Sequence, residues 1–258
     1  MYKEINSITS FLSRRDVPCL SSEELFTKYR IKQADMIMLL GNSNTYTAEL
    51  AAQALKDGLG KHLMISGGIG HSTKYLIENI QKDERFKNLF VTGKSEAEIL
   101  EQVILYHDKS LKNQLILEIE STNCGSNARE SLLVLKEKDL APESVILIQD
   151  PTLQQRTHAS FLKEWENEKT LFISYAPYIP LLNENLKFQN NKMNEQFSYE
   201  RFLDLILGEI PRLKDDKNGY GPNGKNFIVH VQIPEEVLSA FERLVSLHSE
   251  YKEIKGRK

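Results

Sequence analysis

Four short polar stretches hold most of the side chains in this sequence that are suited to chemistry. They are "GNSNT" at 41–45, "SGGIGHST" at 66–73, "ESTNCGSNAR" at 120–129 and "QDPTLQQRT" at 149–157. Gly67 and Gly68 would let a backbone come close to a ligand, with Ser66 or Ser72 adding a hydroxyl; the competing reading is a tight turn. Among Asn42, Ser43, Asn44 and Thr45 one residue is expected to cap a helix, and Asn42 is expected to face a ligand. Glu118 and Glu120 are two apart, which on a strand puts both carboxylates on one face. There they would serve a ribose diol, a cationic group or a metal, or else form a solvated rim. Asn123 and Asn127 are four apart, on one side of a helical turn, as a cap and a ligand amide respectively. Asp150 and Thr152 suit a helix cap, and Arg156 lies one turn further in, where a guanidinium would meet a phosphate. Cys124 sits beside a helix start, but no His or acid is assigned to activate it as a nucleophile. His71, alone in its loop, reads as a bystander.

The elements around these stretches explain why they would meet. Apolar runs at 34–40, 62–66, 115–121, 144–150 and 170–176 read as strands, and "NLFVTG" at 88–93 as a short extended piece. Between them apolar residues recur at helical spacing: Leu50, Ala51, Ala54 and Leu55; Ala97, Leu100, Val103 and Ile104; Leu132, Leu133 and Leu135; Phe161, Leu162 and Trp165. Strand and helix alternate, which predicts a parallel sheet covered on both faces. Ligands of such sheets bind beyond the carboxyl ends of the strands, where the strand order reverses. All four polar stretches fall on that edge, each leading into a helix N-terminus with unpaired N–H groups and about half a positive charge.

After Pro180 the pattern changes. A polar, Asn-rich connector at 183–196 precedes a helical face of Tyr199, Phe202, Leu203 and Ile206, expected to end near Gly208 and Pro211. "DDKNGYGPNGKN" at 215–226 is turn-rich, "FIVHVQI" alternates like a strand, and Pro234 opens a last helix. In the turn-rich segment Tyr220 would stack on a base and Asp215 or Asp216 would meet a cation, as a lid; an exposed turn explains the same residues.

Composition narrows the classes. The 258 residues carry a net charge of −3, and 40% of them are hydrophobic, enough for a core. Without a basic stripe, a nucleic-acid partner is not expected. Two cysteines give neither a disulfide framework nor a metal pattern. The first residues lack the apolar stretch of a signal peptide, and no run reaches the roughly 20 apolar residues of a spanning helix, so a cytoplasmic protein is expected. The dinucleotide fingerprint is absent, and the second strand ends in Ser-Gly-Gly instead of the acid that grips a ribose. No P-loop, H-E-x-x-H or G-x-S-x-G occurs.

"SGGIGHST", "STNCGSNAR", "QDPTLQQRT" and "GEIPRLKDDKNGYGPNGKNFIVHV" together resemble the SanA/ElyC/YdcF domain-of-unknown-function family, in its bacterial YdcF-like branch. The likeness runs over nearly the whole chain, and the C-terminal stretch is its most specific part. It implies a Rossmann-like α/β fold with helices on both faces of a parallel sheet. It also implies binding of S-adenosyl-L-methionine, but no reaction. The family pattern falls on Gly41, on Ser66, Gly67 and Gly68, on Glu118, Ser121, Asn123 and Asn127, and on Arg156. Three positions depart from it: Cys124 where many relatives have Thr, Ser126 where many have Glu, and Leu153 where many have a His. If that His does chemistry elsewhere, this branch cannot use it in the same way.

The combined expectation is a ligand-binding core over 31–180, with 1–30 and 181–258 forming a small, mainly helical subdomain that carries the Gly-rich loop. The core would bind a nucleotide-type small molecule, S-adenosyl-L-methionine first. The expected contacts are the family positions together with Asn42, Asp150 and Tyr220. The alternative is an enzyme acting on a phosphorylated or glycosyl substrate, with Arg156 stabilising negative charge and Glu118 or Asp150 as general base. A scaffold without a ligand explains the polar strand ends poorly.

Overall fold

A computed structural model describes residues 1–190 and 198–256. Helices α1 (Tyr2–Leu12) and α2 (Ser22–Tyr29) precede an alternating core. This core runs β1 (Ala34–Leu40), α3 (Thr45–Lys56), β2 (Gly60–Ser66), α4 (Thr73–Lys82), α5 (Glu96–His107), β3 (Leu115–Glu118), α6 (Cys124–Glu137), β4 (Ser144–Ile148), α7 (Gln154–Glu164) and β5 (Leu171–Ser174). Helices α8 (Tyr199–Leu213) and α9 (Glu235–Gly256) follow. The five strands are all parallel, in the order β3-β2-β1-β4-β5. This is a Rossmann-like α/β fold, with the strand order reversing between β1 and β4.

The two-residue side-chain period of β1 divides its apolar run between two layers. Ile37 and Leu39, with Leu63, Ile65, Ile146, Ile148 and Ile173, pack against residues of α2 to α5. Met36, Met38 and Leu40, with Met64, Val145, Leu147 and Phe172, pack against α6, α7 and Trp165. Burial on both faces explains why these strands read as unbroken apolar runs. Register then fixes the edge: Leu40 lies opposite Ser66, and Ser66 opposite Glu118.

Another cluster joins the ends of the chain. Ile5, Ile8 and Leu12 of α1 pack with Phe202, Ile206 and Ile210 of α8 and with Val237, Ala240 and Leu244 of α9. Ala159 of α7 and Tyr178 tie this cluster to the core. Residues 1–30 divide between the two bodies, because Leu25 of α2 packs in the layer beneath the sheet.

Several local expectations change. Residues 88–93 form turns, not an extended piece, with Phe90 exposed and Val91 buried. The segment 227–233 joins no sheet. Its alternation reflects Ile228, Val231 and Ile233 packing into the cluster of α1, α8 and α9. Helix α8 runs through Gly208 and Pro211 to Leu213. Pro211 gives up one backbone bond in the last turn, while Ile210 and Leu213 on either side are fully buried and hold that turn in place. Part of the polar connector at 183–196 lies outside the described residues; within the described part Phe188 is buried and pairs in an antiparallel bridge with the buried Leu182 just before it. Among the described residues no helix is long and apolar enough to cross a membrane.

Ile8 is fully buried where α1 meets the C-terminal helices. Ile8→Ala is expected to cost about 2–5 kcal/mol in urea unfolding, through lost transfer energy and the cavity left behind. A loss below about 1 kcal/mol would show that α1 is not part of the cooperative core.

Candidate functional site

At the carboxyl edge a small open cleft of about 120 Å³ lies among Gly41, Gly68, Gly70, Ser72, Glu96, Ser121–Cys124, Asn127, Leu153 and Arg156. The ends of β1, β2, β3 and β4 all contribute to it. Of the residues expected at the site, it brings together Gly41, Gly68, Ser121, Asn123, Asn127 and Arg156.

The stretch after β1 is otherwise absorbed by the fold. The Asn42 side chain donates to Leu40 O at 2.7 Å and accepts from Asn44 N at 2.7 Å. It is buried and does not line the cleft, contrary to expectation. Asn44 is the N-cap of α3, accepting from Tyr46 N, and it donates to the Tyr178 hydroxyl. Ser43 O accepts from the Asn79 amide at 2.8 Å.

The glycines serve packing between loops more than approach to a ligand. A Cβ on Gly67 would lie 2.9 Å from Gly41 Cα, and one on Gly68 would lie 2.6 Å from the carbonyls of both Ile119 and Ser121. Their N–H groups are also engaged, with Glu118 O and Ser121 O. Glu118 holds this junction together. One carboxylate oxygen accepts from Glu120 N at 2.6 Å and Ser121 N at 2.8 Å, and the other accepts from the Ser66 and Ser121 hydroxyls. Strand β3 ends at Glu118, so Glu120 is exposed while Glu118 is buried, and the two carboxylates do not share a face.

Helix α6 supplies the anion-favouring wall. Asn123 caps it, accepting from Ser126 N at 3.0 Å while the Ser126 hydroxyl accepts from Asn123 N at 2.9 Å. Ser126 thus takes over the return half of the capping box that a Glu would make. Among the described residues, the N–H groups of Cys124 and Gly125 have no acceptor. Such groups, at the positive end of the helix dipole, favour an anion. Asn127 is 95% buried (5% exposed), lines the cleft, and its side-chain amide has no partner among the described residues. The Cys124 thiol accepts a long bond from the Thr157 hydroxyl at 3.6 Å.

Arg156 is committed to the fold as well as to the cleft. Its Nε and Nη2 donate to the two carboxylate oxygens of Glu209 at 2.5 and 3.0 Å, and Arg212 reaches the same group at 3.2 Å. This fork ties α7 to α8. Asp150 is buried outside the cleft lining. Burial pushes its carboxyl up, against the Thr152 hydroxyl and N–H that it accepts from at 2.6 and 2.9 Å. Tyr220 does not line the cleft either; its ring packs edge-on against Phe227, with centroids 5.3 Å apart. Asp215 accepts from Asn223 and pairs with His230 at 2.8 Å. Among the described residues no cluster of His, Cys, Asp and Glu could hold a metal ion.

One carboxylate at the cleft escaped the reading of the strand ends. Glu96 opens α5 and is 4% exposed. Its Oε1 accepts from the Ser72 hydroxyl at 2.6 Å and the Thr73 hydroxyl at 2.8 Å. Its Oε2 lies 2.4 Å from where a Cβ on Gly41 would stand, so a larger residue at 41 would push the carboxyl out of its place. Burial pushes the carboxyl up, opposed by the two hydroxyls. The sequence does carry a signal for it: Glu96 shares a helical stripe with Leu100, Val103 and Ile104, and an acid on an apolar stripe needs a reason. Glu209, on a stripe with Phe202, Ile206 and Leu213, has the same signal.

Arg156→Ala should strand Glu209, which is 1% exposed. The variant is expected to lose about 3–5 kcal/mol in urea unfolding, less whatever Arg212 recovers. Adding Glu209→Gln to it should restore part of that loss. A variant as stable as the parent would show that the pair does not hold α8.

No protein-family model matches the chain. Over 205 residues it is 21% identical to a Streptomyces coelicolor protein described as the uncharacterized protein SCO4629, covering 80% of this chain and 78% of that one.

Proposed function

We propose that the cleft binds a nucleotide-type small molecule carrying both an anionic group and hydrogen-donating groups, with S-adenosyl-L-methionine the leading candidate. The observation that carries this reading is a pair of largely buried residues whose free polar atoms open onto one cleft. The Asn127 amide has no partner among the described residues, and only one oxygen of Glu96 is engaged. Both groups open onto the cleft, where a ligand's polar groups would take the place of water as their partners. The two walls also differ in sign. The α6 N-terminus and Arg156 suit a carboxylate, while Glu96 suits an ammonium group or ribose hydroxyls. S-adenosyl-L-methionine bears all three groups, and the YdcF-like resemblance supports the choice. On the alternative reading, a phosphorylated or glycosyl substrate would place its anion at the same α6 wall. Glu96 would then replace Glu118 and Asp150 as the base, because neither of those lines the cleft.

Calorimetry with S-adenosylmethionine, S-adenosylhomocysteine, common nucleotides and sugar phosphates tests the reading. Heat is expected with S-adenosylmethionine, and Asn127→Ala should weaken binding by about 1–3 kcal/mol without unfolding the protein. Binding unchanged in that variant, or no heat with any of these compounds, would refute the placement.

A further inference from the structure

We propose that Glu96 is the residue that reads the ligand's hydrogen-bond donors, with Oε2 accepting from a hydroxyl or ammonium group, and that it is kept there at a cost to the fold. The inference rests on the small-molecule reading of the cleft and adds to it the residue that selects the ligand class.

The geometry is one-sided. Thr73 Oγ1 accepts from Gly70 N at 2.8 Å, so its own hydrogen is directed at Glu96 Oε1, and the Ser72 hydroxyl joins it on the same oxygen. Oε1 is therefore an acceptor only. Any hydrogen bond or proton exchanged with a ligand belongs to Oε2, the oxygen beside Gly41. The backbone orients the group as well: Glu96 N donates to Gly68 O at 3.0 Å and Ala97 N to Gly67 O at 2.8 Å. The first turn of α5 is thus lashed to the glycine turn, which holds the base of the Glu96 side chain beside the cleft. Two hydroxyls aimed at Oε1 and none at Oε2 is the arrangement of a carboxylate oriented for something outside the protein.

The charged and titratable groups on the surrounding elements do not compensate it. On α5, Glu98 is paired with Lys94 at 2.6 Å. Lys74 on α4 and His71 before it are exposed. Across the cleft stand Cys124 and Arg156, the latter bound to Glu209. Burial therefore decides the direction, and Glu96 holds its proton above the ordinary Glu range. For linkage the sign is fixed. The native state binds this proton more tightly than the unfolded chain does. The stability Glu96 contributes is full below the unfolded Glu value, about 4.3, and is lost as pH rises through the native value. Once ionised, Glu96 therefore supports the ligand-free fold less than its protonated form does.

The test is Glu96→Gln, which keeps the acceptor for Ser72 and Thr73 but removes the charge. Thermal unfolding of the ligand-free protein from pH 4 to pH 8 should give a Tm for the variant above the parent's at neutral pH, with the gap closing toward pH 4. Calorimetry at neutral pH should show S-adenosylmethionine binding weakened by roughly 10- to 100-fold, the loss expected for a hydrogen bond to a charged group. A Tm below the parent's across the whole range would overturn the inference by making Glu96 a structural clamp. Unchanged S-adenosylmethionine binding in the variant would overturn it as well. If the parent itself does not bind S-adenosylmethionine, that choice of ligand fails, and the pH dependence of Tm decides the role of Glu96 on its own.

Discussion

The cleft depends on how closely three strand ends can be drawn together, and the buried carboxylate of Glu118 draws them. It accepts four hydrogen bonds, one from the Ser66 hydroxyl at the end of β2 and three from the segment that follows β3. A carboxyl taken out of water has to be satisfied this fully or it destabilises the fold. Once it is, the chain after β3 turns back beneath the Gly67–Gly68 turn, at a distance only glycine tolerates. The same turn meets Gly41 after β1, which brings the ends of three adjacent strands together. Parallel register makes this possible, because it leaves Leu40, Ser66 and Glu118 at one level.

The C-terminal helices reach the cleft through a second buried charge. Glu209 of α8 and Arg156 of α7 form a bidentate pair with side-chain exposures of 2% and 14%. Removing Glu209 leaves Arg156 without its carboxylate, and removing Arg156 leaves Glu209 only the Arg212 contact, so the pair ties α8 to α7. Close to it, Tyr220 N donates to Arg212 O at 2.9 Å and anchors the glycine-rich loop to the last turn of α8. The loop is held by its own backbone contacts. Its glycines are required where Cβ atoms on Gly219 and Gly224 would overlap backbone oxygens.

Against this closely satisfied background, the open groups are conspicuous. Asn42, Asn44, Glu118 and Gln154 all find partners within the protein. Asn127, one oxygen of Glu96 and the first N–H groups of α6 do not, and all of them belong to residues at one cleft or directly beside it. These groups are open to the cleft and are the ones a bound molecule would meet.

The strands, the parallel sheet and the edge that carries the cleft are determined by sequence pattern, because burial on both faces leaves unbroken apolar runs such as 34–40 and capping leaves polar residues at the helix starts. Asn123, Asn127 and Arg156 were legible for the same reason: each follows a strand and opens a helix. Which carboxylate faces the cleft was decided only in three dimensions. Glu118 and Glu96 both look like acids at element ends, and the difference lies in partners contributed by other segments, Ser66 for one and the Gly41 surface for the other. Asn42 turned inward because Leu40 O and Asn44 N lie within reach of its short side chain, a turn geometry that spacing does not encode. The partner of Arg156 lies 53 residues away on a helix outside the sheet. No local pattern links the two residues, since their meeting depends on how the apolar face of α8 docks.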